Sequence, residues 1–304
     1  MPVKISQKLS FVDEALNAQE QNMISILLTQ DGFSFAVYNR ERNKFVALEA
    51  YNIENIHHDV LEKSFFDHVI AALKVVIENS KLISLYRNSK GIITFCPNQA
   101  TWLPSSLFNP DEKERYILLN YGETLGDVFY KINNQTESVC IYTIYNSFID
   151  DLLNLFPNAE IHPLQNILVE DFQRFSKKND LEKSVYCFVT KERLFIQVYH
   201  ASKLVFDNNF NFQNKQDFVY FLLNIYDKMD LSPENTPLFF TGDISKSNES
   251  WNIIKKYIRR VETLPSNNSF LYSRLFNNAD IYHFYHLFSS ITCVLLEEFG
   301  KGEE

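Results

Sequence analysis

Ser25-Ile-Leu-Leu-Thr-Gln-Asp-Gly-Phe-Ser-Phe-Ala-Val-Tyr38 aligns without a gap on Tyr186-Cys-Phe-Val-Thr-Lys-Glu-Arg-Leu-Phe-Ile-Gln-Val-Tyr199, 161 positions later. Each stretch is an apolar run, a polar turn and a second apolar run, the pattern of a β-hairpin. A third run completes a meander in both places. In the first it spans residues 44–51. In the second it spans residues 203–210, where Lys203, Val205, Phe210 and Asn211 fall on Lys44, Val46, Tyr51 and Asn52 after a two-residue deletion. A repeat of this kind sets an architecture of two similar domains before any chemistry is considered.

Between the meanders, residues 58–80 place Val60, Leu61, Phe65, Val69, Ile70, Leu73, Val76 and Ile77 at helical spacing. Residues 91–96 read as a buried strand ended by Pro97. Strands are expected at 115–119, 124–130 and 138–144, a helix at 147–156, a strand near Glu160 and a helix at 164–175. The polar stretch 176–183 reads as a linker. After the second meander (184–189, 194–199, 203–210) come a helix at 216–226, a strand at 237–241, an amphipathic helix at 250–261 and a closing segment at 280–299.

The domain division expected from this order is an N-terminal extension over 1–22, a first domain over 23–178 and a second over 179–304. Three antiparallel strands, a helix, a strand and a helix, given twice, is the order of the ribonuclease H-like half-domain that occurs in pairs in actin, heat-shock chaperones and sugar kinases. The expected class is therefore α/β (α+β): a duplicated ribonuclease H-like, actin-like ATPase fold. Each domain holds a three-strand antiparallel meander plus parallel strands and helices.

Composition agrees with two folded cores. The chain has 304 residues, 45% of them apolar and 22% charged, with 27 Phe and 16 Tyr, and single cores usually stop growing near 250–300 residues. A net charge of −9 disfavours nucleic acid and anionic lipid as partners of the whole surface. Cys96, Cys140, Cys187 and Cys293 are far apart and lack C-x-x-C spacing, as expected of buried free thiols in a reducing compartment. The first residues lack the apolar core of a signal peptide, and no stretch approaches the roughly 18 apolar residues of a spanning helix. A cytoplasmic protein without membrane insertion is expected.

Several segments resemble a bacterial domain-of-unknown-function family whose structural representative has an actin-like ATPase fold. They are Ser25–Tyr38 with its Asp-Gly-Phe-Ser-Phe, Ile93-Thr-Phe-Cys-Pro-Asn-Gln-Ala-Thr-Trp-Leu-Pro104, Thr241-Gly-Asp-Ile-Ser245 and Tyr257-Ile-Arg-Arg-Val261. The resemblance covers nearly the whole chain after residue 20. More distantly the chain is similar to actin homologues that act as cytoplasmic scaffolds in pilus assembly and type II secretion. The resemblance implies a fold and assigns no activity.

Actin-like ATPases hold phosphates in two hairpin loops, where glycines let backbone N–H groups approach the ligand and an acid positions Mg²⁺. Here the first turn is Gln30-Asp31-Gly32-Phe33-Ser34, with an acid and a glycine at altered spacing and a bulky Phe33. The second is Thr190-Lys191-Glu192-Arg193, with no glycine. The Gly-Gly expected of the second domain falls near Thr241-Gly242-Asp243, where one glycine remains. Seven glycines in 304 residues is about a third of average usage, and neither common nucleotide-loop motif is present. The candidate loop equivalents are thus Asp31, Gly32, Ser34, Thr190, Glu192, Thr241 and Gly242. The expected reading is a scaffold with no cofactor and an unknown protein partner. Its alternative is a switch or phosphotransferase binding ATP with Mg²⁺ in the expected cleft, with Asp31 and Glu192 opposed.

Other candidates are weighed against packing. His283 and His286 have a spacing compatible with zinc, but no carboxylate or cysteine nearby completes a ligand set, and the surrounding aromatics favour packing. His57-His58-Asp59 reads as a helix cap or loop, and Asp150-Asp151 as solvated surface. Lys255, Lys256, Arg259 and Arg260 would form one basic stripe on the helix expected at 250–261, by default a solvated helix face and otherwise a docking surface for an acidic partner or RNA.

Overall fold

The computed structural model describes residues 4–13, 16, 20–54, 63–134, 136–278 and 280–300. The chain divides into two compact units, the first formed by Met1–Ile167, Asn267–Asp280 and His286–Glu304, the second by Leu168–Ser266 and Ile281–Tyr285.

The first unit opens with strands β1 (Lys4–Val12), β2 (Asn22–Thr29), β3 (Gly32–Asn39) and β4 (Lys44–Glu54). Helices α1 (Lys63–Asn79) and α2 (Lys81–Tyr86) lead to β5 (Gly91–Phe95). A small sheet of β6 (Ala100–Pro104), β7 (Asp127–Asn133) and β8 (Ser138–Ile144), with helix α3 (Lys113–Tyr121), is inserted next. Helix α4 (Asn146–Leu155), β9 (Ala159–Pro163) and α5 (Leu164–Lys178) follow. The main sheet runs β1-β4-β3-β2-β5-β9. Its apolar face meets Val69, Leu73 and Val76 of α1 and Phe148 and Leu152 of α4 in one core with Ile26, Phe35 and Ile93. The central strands are apolar at nearly every position because both faces are covered.

The second unit repeats the plan with β10 (Lys183–Val189), β11 (Arg193–His200), β12 (Lys203–Asn211), α6 (Lys215–Lys228), β13 (Leu238–Gly242), α7 (Glu249–Ile254) and β14 (Val261–Thr263). Its sheet order is β12-β11-β10-β13-β14, the same as β4-β3-β2-β5-β9. Register matches as well. Ser25 faces Ala36 and Tyr186 faces Gln197; Ile24 pairs with Gly91 in parallel and Val185 with Leu238. Each meander carries one irregularity, between Val37 and Tyr38 and between Val198 and Tyr199, which are aligned positions. Shared order, register and bulge are consistent with an internal duplication.

The chain closes with β15 (Leu271–Tyr272), which pairs with β4, a 3-10 turn (Ile281–Phe284) and α8 (Tyr285–Gly300). Two helices pass between units along the chain: α5 belongs to the second unit from Leu168 onward, and α8 to the first from His286 onward.

Four expectations change. Residues 115–119 are helical, not extended: Asn109 caps the 3-10 turn Pro110–Glu112 that leads into α3, accepting from the Asp111 amide (3.1 Å), and Gly122, with φ +76°, ends α3 in the left-handed region. The linker read at 176–183 shrinks, because α5 continues to Lys178 with Ser176 buried and β10 begins at Lys183. The helix expected over 250–261 stops at Ile254, because Val261 is needed beside Leu238 as β14. The segment read as an extension contributes β1, paired antiparallel with β4. His57-His58-Asp59 lies outside the described residues.

Candidate functional site

The two hairpin turns are built alike. In the first, the Thr29 hydroxyl donates to Asp31 Oδ1 (2.8 Å) and lies 3.1 Å from the Gly32 carbonyl, while the Asp31 carbonyl accepts from Ile53 N (2.9 Å). In the second, Thr190 Oγ1 accepts from Arg193 N (3.0 Å), Thr190 N donates to the Arg193 carbonyl (2.9 Å), and the Glu192 carbonyl accepts from Phe212 N (2.9 Å). The side chains of Asp31 and Glu192 thus sit on turns whose own polar groups already close them.

Gly32 is required by the sheet, since a Cβ there would stand 2.0 Å from the Tyr51 carbonyl oxygen. Phe33 beside it is buried in the first unit's core against Phe35 and Tyr51, with ring centroids 5.5 Å apart in each case. Ser34 is half-buried opposite Leu27. Arg193, at the position aligned with Gly32, is buried and its Nε donates to Asn211 Oδ1 (2.9 Å).

The third loop is filled by protein groups. Gly242 has φ +87°, and a Cβ on it would lie 2.2 Å from the Val189 carbonyl oxygen and 2.9 Å from the Phe188 ring, so only glycine fits. Thr241 Oγ1 donates to the Tyr282 carbonyl (2.6 Å), and the Gly242 carbonyl accepts from Ile244 N (2.9 Å) and from His283 Nδ1. Tyr282 stacks on the His283 ring at 4.4 Å. His283 therefore serves the Gly242 loop, while His286 is buried in α8. Among the described residues no group of three or more His, Cys, Asp or Glu is placed to hold a metal ion.

A nucleotide with Mg²⁺ needs a cradle of open backbone amides and close, Cβ-free approach. Residues 190–193 offer a Cβ at each position, and the Thr190 and Arg193 amides are spent inside the turn. In the Thr241 loop the Thr241 hydroxyl and the Asp243 and Ile244 amides are spent likewise, on the Tyr282, Val189 and Gly242 carbonyls. These residues do not fit the phosphate cradle of the fold.

The basic stripe is redistributed. Lys255 caps α7 and Lys256 lies in the following turn, while Arg259 N donates to the Pro233 carbonyl (2.9 Å) and its guanidinium pairs with Glu234 (3.0 Å). Arg260 leads into β14, 3.9 Å from Glu262. The four cations share a loop and not a helical face. Cys140 and Cys187 are buried and Cys96 is half-buried, none of the three is in a disulfide, and burial pushes the Cys187 thiol up.

Sequence reading missed an apolar groove of about 290 Å³ in the first unit, lined by Phe95, Phe129, Tyr142, Ile144, Ile149 and Ile161. Beside it Lys131 Nζ donates to His162 Nδ1 (2.7 Å), with Glu160 3.4 Å from Nε2. Its lining comes from five separate elements, so no local motif announces it.

The family model described as "Protein of unknown function (DUF3822)" matches residues 13–261. The chain belongs to this family. Comparison with curated protein sequences gave no match. Among solved structures the chain is similar to a Bacteroides thetaiotaomicron protein with actin-like ATPase fold and unknown function, at 24% identity and TM-score 0.67, over 81% of this chain and 91% of that one. It is also similar to a chain of the PilM–PilN type IV pilus biogenesis complex, at 10% identity and TM-score 0.53, over 88% and 97%. A third similarity is to the cytoplasmic domain of EpsL, an inner membrane component of the Vibrio cholerae type II secretion system, at 12% identity and TM-score 0.43, over 81% and 90%. The DUF3822 chain thus has the actin-like ATPase fold, and among its described residues no helix is long and apolar enough to cross a membrane.

Proposed function

We propose that this chain is a non-catalytic protein-interaction or scaffold protein built on a degenerate actin-like fold. The observation that carries the reading is the spent chemistry of the loops: the Thr190 turn closes on itself without glycine, and Thr241 and Gly242 bond to Tyr282 and His283. A relative of the same fold works in a pilus biogenesis complex, which supports association with another protein as the activity. Among the described residues Cys96, Cys140 and Cys187 form no disulfide, which suits a reducing cytoplasm. The loop of Lys255, Lys256, Arg259 and Arg260 is a surface for an acidic partner in this reading.

Thermal unfolding with Mg·ATP tests it. A ligand at about 100 times its Kd adds about 2.7 kcal/mol of stability. We expect no shift in Tm at millimolar Mg·ATP. A clear upward shift that disappears in Asp31→Ala would replace the scaffold with a nucleotide-binding switch or phosphotransferase.

A further inference from the structure

The two repeated sheets differ at one edge. In the first unit β4 is covered by β1, which adds antiparallel with Lys4 opposite Glu54 through to Val12 opposite Ala47. In the second unit the equivalent strand, β12, ends the sheet: among the described residues it pairs with β11 alone. Val205 on it is 48% exposed. The same fold, in the same molecule, therefore displays both a covered and an uncovered version of this edge.

Backbone direction follows from the ladder. Ile53 N and Phe212 N both donate inward, to the Asp31 and Glu192 carbonyls. Directions alternate along antiparallel strands, so the amides of 211, 209 and 207 point away from β11, as those of 52, 50 and 48 point toward β1. Opposite the latter stand Ser6, Leu9 and Phe11. The outward amide of Asn209 is answered by its own neighbour, Asn208 Oδ1, at 2.8 Å. A side-chain amide oxygen here takes the place a strand carbonyl takes in the first unit. Such local satisfaction blunts an edge while leaving it displaceable.

We propose that the outer edge of β12 takes an extended segment of a partner protein, added antiparallel as β1 is added to β4, with alternating polar and apolar residues and lysines among the polar ones. Strand addition of this kind draws affinity from main-chain hydrogen bonds and selectivity from alternate side chains. The charge follows from the strand already seen on the equivalent edge: β1 carries Lys4 and Lys8 and no acid, on a chain of net charge −9. The proposal rests on the interaction reading above and names its surface.

A synthetic peptide of residues 4–13, the one sequence known to fit the equivalent edge, is the probe, titrated into the full chain. We expect one peptide per chain and slowing of amide exchange at residues 207, 209 and 211 by about tenfold or more. Asn209→Pro removes an outward donor and spares the inward ladder, and should weaken binding about tenfold. Exchange on the unaltered chain requires no variant to fold. Absence of binding at millimolar peptide, or protection confined to β4, would overturn the proposal. So would sedimentation of the peptide-free chain as a dimer that Asn209→Pro dissolves, since a second copy would then own the edge. These failures leave the Mg·ATP result untouched, and a nucleotide-induced shift would leave the edge untouched.

Discussion

Ser25 and Tyr186 occupy aligned positions and show how one site in a repeat is adapted to two neighbours. Ser25 Oγ bonds to the Leu287 carbonyl (2.5 Å) and Ser290 Oγ (2.7 Å) of α8. Tyr186 stacks on Phe172 of α5 at 4.4 Å, and its hydroxyl bonds to Ser176 Oγ (2.6 Å). Burial pushes the Tyr186 hydroxyl up to about 12, opposed by the bonds from Ser176 and Ser184. In the unfolded chain it ionises near 10. The folded state therefore keeps a proton that the unfolded state gives up between these values. The contribution is fully present below about pH 10 and is lost as pH rises toward about 12. Two units amount to about 2–3 kcal/mol. Urea unfolding at pH 10 and at pH 12 should show the wild type losing more stability than Tyr186→Phe by about that amount; equal losses would remove the assignment.

At the scale of elements, β1 is a strand whose composition hides it. Edge strands carry lysine and polar residues to discourage pairing with other chains, so Lys4-Ile-Ser-Gln-Lys-Leu-Ser-Phe-Val12 reads as a polar extension. Its role shows only in its partners. Ser10 Oγ donates to buried Glu49 (3.0 Å) and Gln7 Nε2 to Tyr51 Oη (3.2 Å), while Tyr51 and Ser80 hydroxyls also donate to Glu49 (2.8 Å each). Deleting residues 1–13 removes two of these bonds at about 1 kcal/mol each. The unfolding midpoint in urea should fall by at least about 2 kcal/mol equivalent, with faster amide exchange along β4; an unchanged midpoint would show that β1 contributes nothing. Helices α3 and α7 were misread for a related reason. Tyr116-Ile-Leu-Leu119 suits a strand locally, and the Asn109-capped turn before α3 and Gly122 at its end decided otherwise. The apolar spacing from Trp251 to Ile258 suits a longer helix, yet Val261 is claimed by its pairing with β13.

For the whole molecule, the consequential feature is that the last helix completes the first sheet. Phe288 of α8 is buried against Phe45 (4.7 Å), Tyr272 (5.2 Å) and Phe276 (6.1 Å). Truncating a buried Phe costs about 3–5 kcal/mol. Phe288→Ala should destabilise the first unit by that amount, read as faster exchange in β2, β3 and β4; exchange unchanged in those strands would refute the placement.

The sequence alone determined the two meanders, their aligned register and the scarcity of glycine in the turns. Those properties are written in the order of apolar and turn residues within about fifteen positions of one another. Only the tertiary structure decided that β1 covers one edge and β12 is left as the other, that α5 and α8 serve different units along their lengths, and that Tyr282 and His283 occupy the Gly242 loop. Each of these depends on groups far apart in the chain, and periodicity carries no record of which distant partner satisfies a given edge, face or carbonyl.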